Sequence, residues 1–286
     1  LDLIAATLAK LHTLYVARRL KPGRLESIAV KPQWTVVLGT GDDQGIAMNF
    51  TGKHAIYGRQ SIPAKALNAY LGRGLFECAA EGIASRNLSV RAMGFAALGA
   101  LSRRFLSPEA LVERGFASQP GFAPLADWVR PSDRMAMVGY GGIIRPVLRK
   151  LARLDITEIR PPTAFRTVVL GAEKQRQPKL VRVYPQSANR TVLGKADVVA
   201  ITGSALVNGT FPELLGFCPR ARVRGAYGPS ISFIPDVLFE LGLDYVINFY
   251  IEDPERFAFD AVHDTDMEAA LKAHQRQQFI SRQARP

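Results

Sequence analysis

Apolar residues recur at helical spacing through Leu3, Ile4, Leu8, Leu11, Leu14 and Tyr15, and Pro22-Gly23 ends the run, so residues 2–20 are predicted to form an amphipathic helix. Two β-rich apolar runs follow at 25–30 and 34–38. The glycine- and aspartate-rich stretch 39–45 then turns the chain into a third run at 46–50, which predicts a small meander. Residues 62–84 and 86–105 read as helices, the second opening near Asn87 or Ser89 and lined by Leu88, Met93, Phe95, Leu98 and Leu101. The first part of the chain is therefore α+β. Residues 106–134 hold prolines and glycines without a long periodic run, which predicts a connector.

From Met135 the rhythm changes to short apolar runs alternating with helical segments, the signature of an α/β domain with a mostly parallel sheet. Strands are predicted at 135–139, 156–159, 167–170, 197–202, 221–224 and 245–249, and helices at 143–154, 210–217 and 232–242. The polar stretch 267–283 reads as a fraying terminal helix. The expected organisation is an α+β domain over 1–105, a connector over 106–134 and a Rossmann-like α/β domain over 135–286. Two domains suit a chain of 286 residues at roughly 100–200 residues per domain.

Composition narrows the classes. Nearly half the residues are apolar (48%) and 22% are charged, ample for a buried core. A net charge of +12 would attract anions, but the basic residues are dispersed and form no long run, which argues against nucleic acid and for a small-molecule ligand. Self-association into a homo-oligomer is left open. Cys78 and Cys218 are too far apart in sequence for a local zinc site and too few for a disulfide framework, so both are expected reduced and buried. The charges of residues 1–20 suit neither a signal peptide nor a membrane span, and a cytoplasmic protein is expected. The sequence opens on Leu1 rather than methionine, which leaves a preceding segment open.

Candidate chemistry gathers at the ends of predicted strands. Gly139-Tyr140-Gly141-Gly142 lies where the first strand of the α/β part meets a helix. Glycines there let backbone N–H groups approach an anion, although Ile144 stands where a full dinucleotide fingerprint has its third glycine. Glu158 follows Gly139 at about the spacing of a ribose-binding acid, and a solvent-facing strand-end glutamate accounts for it equally. Thr202-Gly203-Ser204 and Asn208 occupy a polar loop where open α/β sheets bind ligands, while Asn208-Gly209 also reads as a turn and Thr210 as a helix cap. Gly228-Pro229-Ser230 forms another strand-to-helix turn, its serine able to cap the helix or touch a substrate. In the first domain Asp42, Asp43, Lys53 and His54 flank or follow the meander. Lys53 and His54 are the candidates for acid–base or anion contacts, against a surface role. Four scattered histidines form no metal-binding pair, and no nucleophile elbow is present.

The stretch from Ala196 to Leu215, followed by Gly228-Pro229-Ser230-Ile231-Ser232-Phe233-Ile234-Pro235 and Leu238-Phe239, resembles a family of bacterial and archaeal proteins for which heavy-metal chelation has been proposed. Gln33-Trp34-Thr35 and the run Arg91-Ala92-Met93-Gly94-Phe95-Ala96-Ala97 match more loosely. The resemblance implies an enolase N-terminal-like domain joined to a Rossmann-like domain, with a site between them. The chain departs from the family at Gly99-Ala100, where an asparagine is usual in the first position, and at Tyr140-Gly141-Gly142, where phenylalanine and prolines are usual. The resemblance implies binding of a small molecule or a metal complex. The glycine-rich departure favours an enzyme using a nucleotide or S-adenosyl cofactor, and the net charge a basic binding module. A metal here would need oxygen and backbone donors, which suit hard cations.

Overall fold

The computed structural model describes residues 2–51, 64–140, 145–160, 167–170, 173–176, 180–263 and 266–282. The first domain holds a three-stranded antiparallel sheet of β1 (Leu25–Lys31), β2 (Trp34–Gly39) and β3 (Gln44–Met48), as the meander pattern predicts. Helix Leu3–Ala17 is started by Asp2, whose carboxylate accepts the Ile4 and Ala5 N–H groups, and it buries Thr7, Leu11 and Tyr15. Helix Leu88–Ser102 is capped by Asn87 in the same way and is buried almost all round, as suits a central element. It meets helix Leu75–Ala84 backbone to backbone: a Cβ on Gly82 would lie 2.6 Å from the Gly94 Cα, so neither residue can carry a side chain.

The helix predicted over 62–84 is interrupted. Helical turns at Ala64–Leu67 and Asn68–Tyr70 precede helix Leu75–Ala84. Between them the backbone exchanges hydrogen bonds with the strand side of the domain, Gly72 N–H to Leu25 and Leu25 N–H to Arg73. Gly72 adopts φ +78°, which ends helical pairing.

The second domain is built on eight strands in the order β4-β13-β12-β11-β10-β5-β6-β9. These are β4 (Phe116–Pro120), β5 (Arg134–Val138), β6 (Arg153–Glu158), β9 (Val181–Pro185), β10 (Val198–Thr202), β11 (Val223–Tyr227), β12 (Tyr245–Ile251) and β13 (Gln275–Arg282). The six strands from β12 to β9 are parallel; at one edge β13 runs antiparallel to β12, and β4 pairs antiparallel with β13, in the direction of the six. The chain steps outward from β5 through β6 to β9, then returns to the other side of β5 and steps through β10 and β11 to β12. The winding therefore reverses between β5 and β10.

The segment expected to connect the domains carries elements of its own, and three further expectations are corrected. The segment 106–134 contributes helix Pro108–Glu113, helix Leu125–Trp128 and the edge strand β4. The terminal stretch is helical only at Met267–His274 and continues as β13, which covers the edge of β12 and stacks Phe279 on Tyr245 at 5.4 Å. The helix expected over 143–154 is seen at Arg145–Leu148, because Arg153 already begins β6. The run at Thr167–Leu170, read as a strand of the main sheet, is β7 and among the described residues pairs only with β8 (Glu173–Arg176), in a separate ladder. No helix among the described residues is long and apolar enough to cross a membrane.

The two domains share one hydrophobic cluster, in which Phe95, Leu98 and Leu101 join Ile201, Leu206, Ile231 and Phe233. Polar bonds fasten the segment between them to the second domain. The Arg114 guanidinium pairs with Asp236 at 2.7 Å, both side chains only 9% exposed, and Gln278 donates to the Leu106 carbonyl.

Candidate functional site

The carboxyl ends of β5, β6, β10 and β11 come together where the winding reverses, the position at which open α/β sheets leave a crevice. Gly139 follows β5 with φ +78°, a conformation that disfavours any side chain. Its neighbour across the crevice is Thr202: a Cβ on Gly139 would lie 3.1 Å from the Thr202 Cγ2. The Tyr227 hydroxyl, at the end of β11, donates to the Gly139 carbonyl at 2.5 Å. Burial, and then the nearby Glu158 carboxylate, push this phenol far above its ordinary range, so it is a neutral donor that holds the glycine turn.

The turn after β10 brings the Thr202 and Ser204 hydroxyls to 3.0 Å from each other, both residues half-buried. Gly203 between them donates its N–H to the Tyr227 carbonyl. It must be glycine, because a Cβ there would sit 2.8 Å from the Ile231 nitrogen. That close approach joins the two loops expected to share a site, Thr202–Ser204 and Gly228–Ser230. Gly228 turns with φ +111°, and Pro229 opens the 3-10 turn Pro229–Ile231.

Ser230 faces the other domain. Its Oγ accepts the Met48 N–H at 2.9 Å and the residue is 4% exposed, so the hydroxyl fastens β3 to the second domain. Asn208 turns its carboxamide oxygen onto its own loop, accepting from the Thr210 N–H and hydroxyl at 3.1 and 2.7 Å. A residue with no role assigned from the sequence, Arg91, supports this loop from helix Leu88–Ser102. Its guanidinium donates to the Val207 and Leu206 carbonyls at 2.7 and 3.0 Å, occupying the end of the short helix Ser204–Val207. Only chain folding could reveal that pairing, since the partners are 116 positions apart.

Glu158 is also brought to the crevice, but its carboxylate is occupied. Oε2 accepts from the Tyr140 N–H at 3.0 Å and the Arg160 guanidinium at 2.7 Å, while Oε1 accepts from the Ile159 and Arg160 N–H groups at 2.9 and 3.2 Å. Burial alone would raise this acid; the Arg160 bonds and charge, with the backbone donors, outweigh it and hold the carboxyl below its usual range. Glu158 thereby ties the residue after Gly139 to the end of β6.

Gly141, Gly142, Lys53 and His54 lie outside the described residues. Asp43 is fully buried and bound to Arg104 at 2.6 Å, and Asp42 is exposed. Among the described residues no three His, Cys, Asp or Glu side chains are grouped to hold a metal ion. Both cysteines are buried, and burial pushes the Cys78 thiol up to about 11, the reverse of what a thiolate ligand needs. The donors at the crevice are instead hydroxyls and backbone groups.

Two family models match the chain, each described as "Putative heavy-metal chelation": DUF4213 over residues 15–102 and DUF364 over residues 125–267. Two solved structures share the fold across almost the whole chain. One is a protein of unknown function from the DUF364 family of Desulfitobacterium hafniense, 22% identical, covering 94% of this chain and 98% of its own with a TM-score of 0.68. The other is a DUF364 protein of unknown function from Pyrococcus horikoshii, 17% identical, covering 98% and 99% with a TM-score of 0.69. No curated protein matches the chain.

Proposed function

The chain belongs to the DUF364 family, here joined to DUF4213, and from that premise we propose that it binds a small polar metabolite, alone or as its metal complex, between β5 and β10. The observation that carries this reading is the juxtaposition of the Gly139 turn with the Thr202–Ser204 hydroxyl pair at the reversal of the winding. In this reading the second domain is Rossmann-like, since β9-β6-β5-β10-β11-β12 follows the 3-2-1-4-5-6 order, and the first is enolase N-terminal-like. The segment 106–134 connects them while lending β4 to the sheet.

The described residues do not fit a protein-built cage for a soft heavy metal. A metal would arrive with donors of its own, as a chelate whose organic part meets Thr202, Ser204 and the backbone around Gly139 and Gly228. Lys53 and His54 are the proposed contacts from the first domain, Gly141 and Gly142 those of the glycine loop.

The strand order favours one further reading, an enzyme with a nucleotide or S-adenosyl cofactor in the same crevice. In it Glu158 shapes the glycine loop and does not grip a ribose, because four donors already occupy its carboxylate.

Thermal unfolding of the purified protein with citrate or histidine, each alone and with Fe3+ or Ni2+, and with S-adenosylmethionine or NAD separates the readings. A rise in Tm with a chelate, lost in a Thr202→Val/Ser204→Ala variant, is expected. A rise confined to the cofactors selects the enzyme, and no rise with any compound, together with no co-purifying small molecule by mass spectrometry, overturns both.

A further inference from the structure

The amino-terminal edge of the parallel strands, at the far end of the sheet from the crevice, gathers basic residues that the sequence disperses. Val198 pairs with both Val223 and Met135, and Arg134 pairs with Arg153, so Arg222, Arg134 and Arg153 stand at one level on the entries to β11, β5 and β6. Arg182 lies just inside the entry to the edge strand β9. At about 4.8 Å between neighbouring strands, the row spans about 19 Å. Exposed cations fill the turns that lead into these strands: Arg130 before β5, Arg149 before β6, Lys195 before β10 and Arg220 before β11.

The acids at this edge are mostly turned inward. Asp133 and Asp155 are buried, and the half-buried Asp197 and Asp244 accept the backbone N–H groups of Arg134 and Arg224. Asp155 alone serves two guanidiniums, Arg153 at 2.7 Å and Arg134 at 3.5 Å. The exposed acids are Asp127, which is paired with Lys150, and Glu240 on the approach to β12. Arg130, Arg149, Arg182, Lys195 and Arg220 form no ion pair among the described residues. The outward charge of the edge is therefore positive.

We propose that this edge docks on the phosphate backbone of a duplex nucleic acid without reading its sequence. A duplex presents on the order of ten phosphate charges over the length of the row, and arginine, its dominant residue, meets phosphate oxygens through a planar fork of donors. Contacts to phosphates alone position a protein and carry no sequence information. Single strands are held by stacking on open aromatic rings. Here Trp128 is packed edge-on against Tyr245 and Phe279, and the Tyr184 hydroxyl accepts from Arg153. A lipid surface is entered by apolar side chains, and Leu180 is the one large apolar residue exposed at this edge among the described residues.

Fluorescence anisotropy of labelled mixed-sequence DNA and RNA duplexes, titrated with the full chain at rising NaCl, tests this. Binding is expected at low salt, with log K falling against log[salt] at a slope of about −4 to −6, roughly −0.9 for each phosphate neutralised. Arg182→Ala/Lys195→Ala/Arg220→Ala removes exposed, unpaired charges and is expected to weaken binding at least tenfold and flatten the slope by about 3. Lys10→Ala/Lys21→Ala/Arg86→Ala takes the same charge from exposed positions of the first domain and is expected to change affinity by less than about twofold. Thr202→Val/Ser204→Ala is expected to leave duplex binding intact, so this edge and the β5–β10 crevice fail or stand separately. No binding at about 100 μM protein in low salt, the weak limit of non-specific association, overturns the proposal. So does an equal loss in the two triple variants, which would reduce the effect to net charge, or binding to phosphatidylserine vesicles with none to either duplex.

Discussion

The ends of β6 and β10 are both at the carboxyl edge of the sheet and both polar, yet they are organised in opposite ways. At the end of β6, Glu158 spends its carboxylate on four donors from its own turn and from Tyr140. At the end of β10, the Thr202 and Ser204 hydroxyls bond mainly to each other, and each hydroxyl is donor and acceptor with capacity to spare. A saturated charge makes a rigid wall, and an unsaturated hydroxyl pair makes a surface that can exchange partners with a ligand. The contrast teaches that the acidic residue, the more conspicuous of the two in sequence, is the scaffold.

The largest effect expected from breaking this contrast is at the wall. Glu158→Ala strips four donors of their acceptor at a site 5% exposed, and should cost about 3 kcal/mol in urea unfolding, at the low end for a broken buried pair because Arg160 can turn to solvent. Glu158→Gln sharpens the assignment through pH. The folded-state acid lies below its ordinary value near about 4.3, so its stabilisation is present above that pH and is lost as pH falls through the folded value. Stability of the native chain should therefore fall more steeply in acid than that of Glu158→Gln, as followed by circular dichroism; parallel curves would remove Glu158 from its role.

Smaller changes are expected toward β10. Gly139→Ala must hold a side chain at φ +78° and press it against Thr202, which should cost about 1–2 kcal/mol in thermal unfolding and narrow the crevice. Thr202→Val and Ser204→Ala remove hydroxyls whose strongest described bond is to each other. Each should change stability by less than about 1 kcal/mol while reducing small-molecule binding by at least tenfold. A stability loss at Thr202 equal to that at Glu158 would erase the distinction between wall and surface.

Much of the framework was legible along the chain. The meander, the Asn87-capped helix and the strands ending at Val138, Glu158 and Thr202 follow from periodicity, capping residues and apolar runs, all of which act over a few residues. Three of the elements misread depend on a distant partner. β4 and β13 are polar segments that become strands because each lies against an edge needing to be covered. The 71–74 break exists because the backbone there pairs with Leu25.

The candidate site divides along the same line. Local sequence determined where the glycines and hydroxyls of the strand-end turns would fall, because turn chemistry is set by neighbours. Tertiary structure alone decided their roles. It brought Gly139 against Thr202, gave Ser230 to Met48 and Arg91 to the carbonyls of Leu206 and Val207, and closed Glu158 on its own turn. Whether a polar side chain can meet a ligand depends on which donors and acceptors already surround it, and that is a property of packing in three dimensions, which spacing along a chain does not carry.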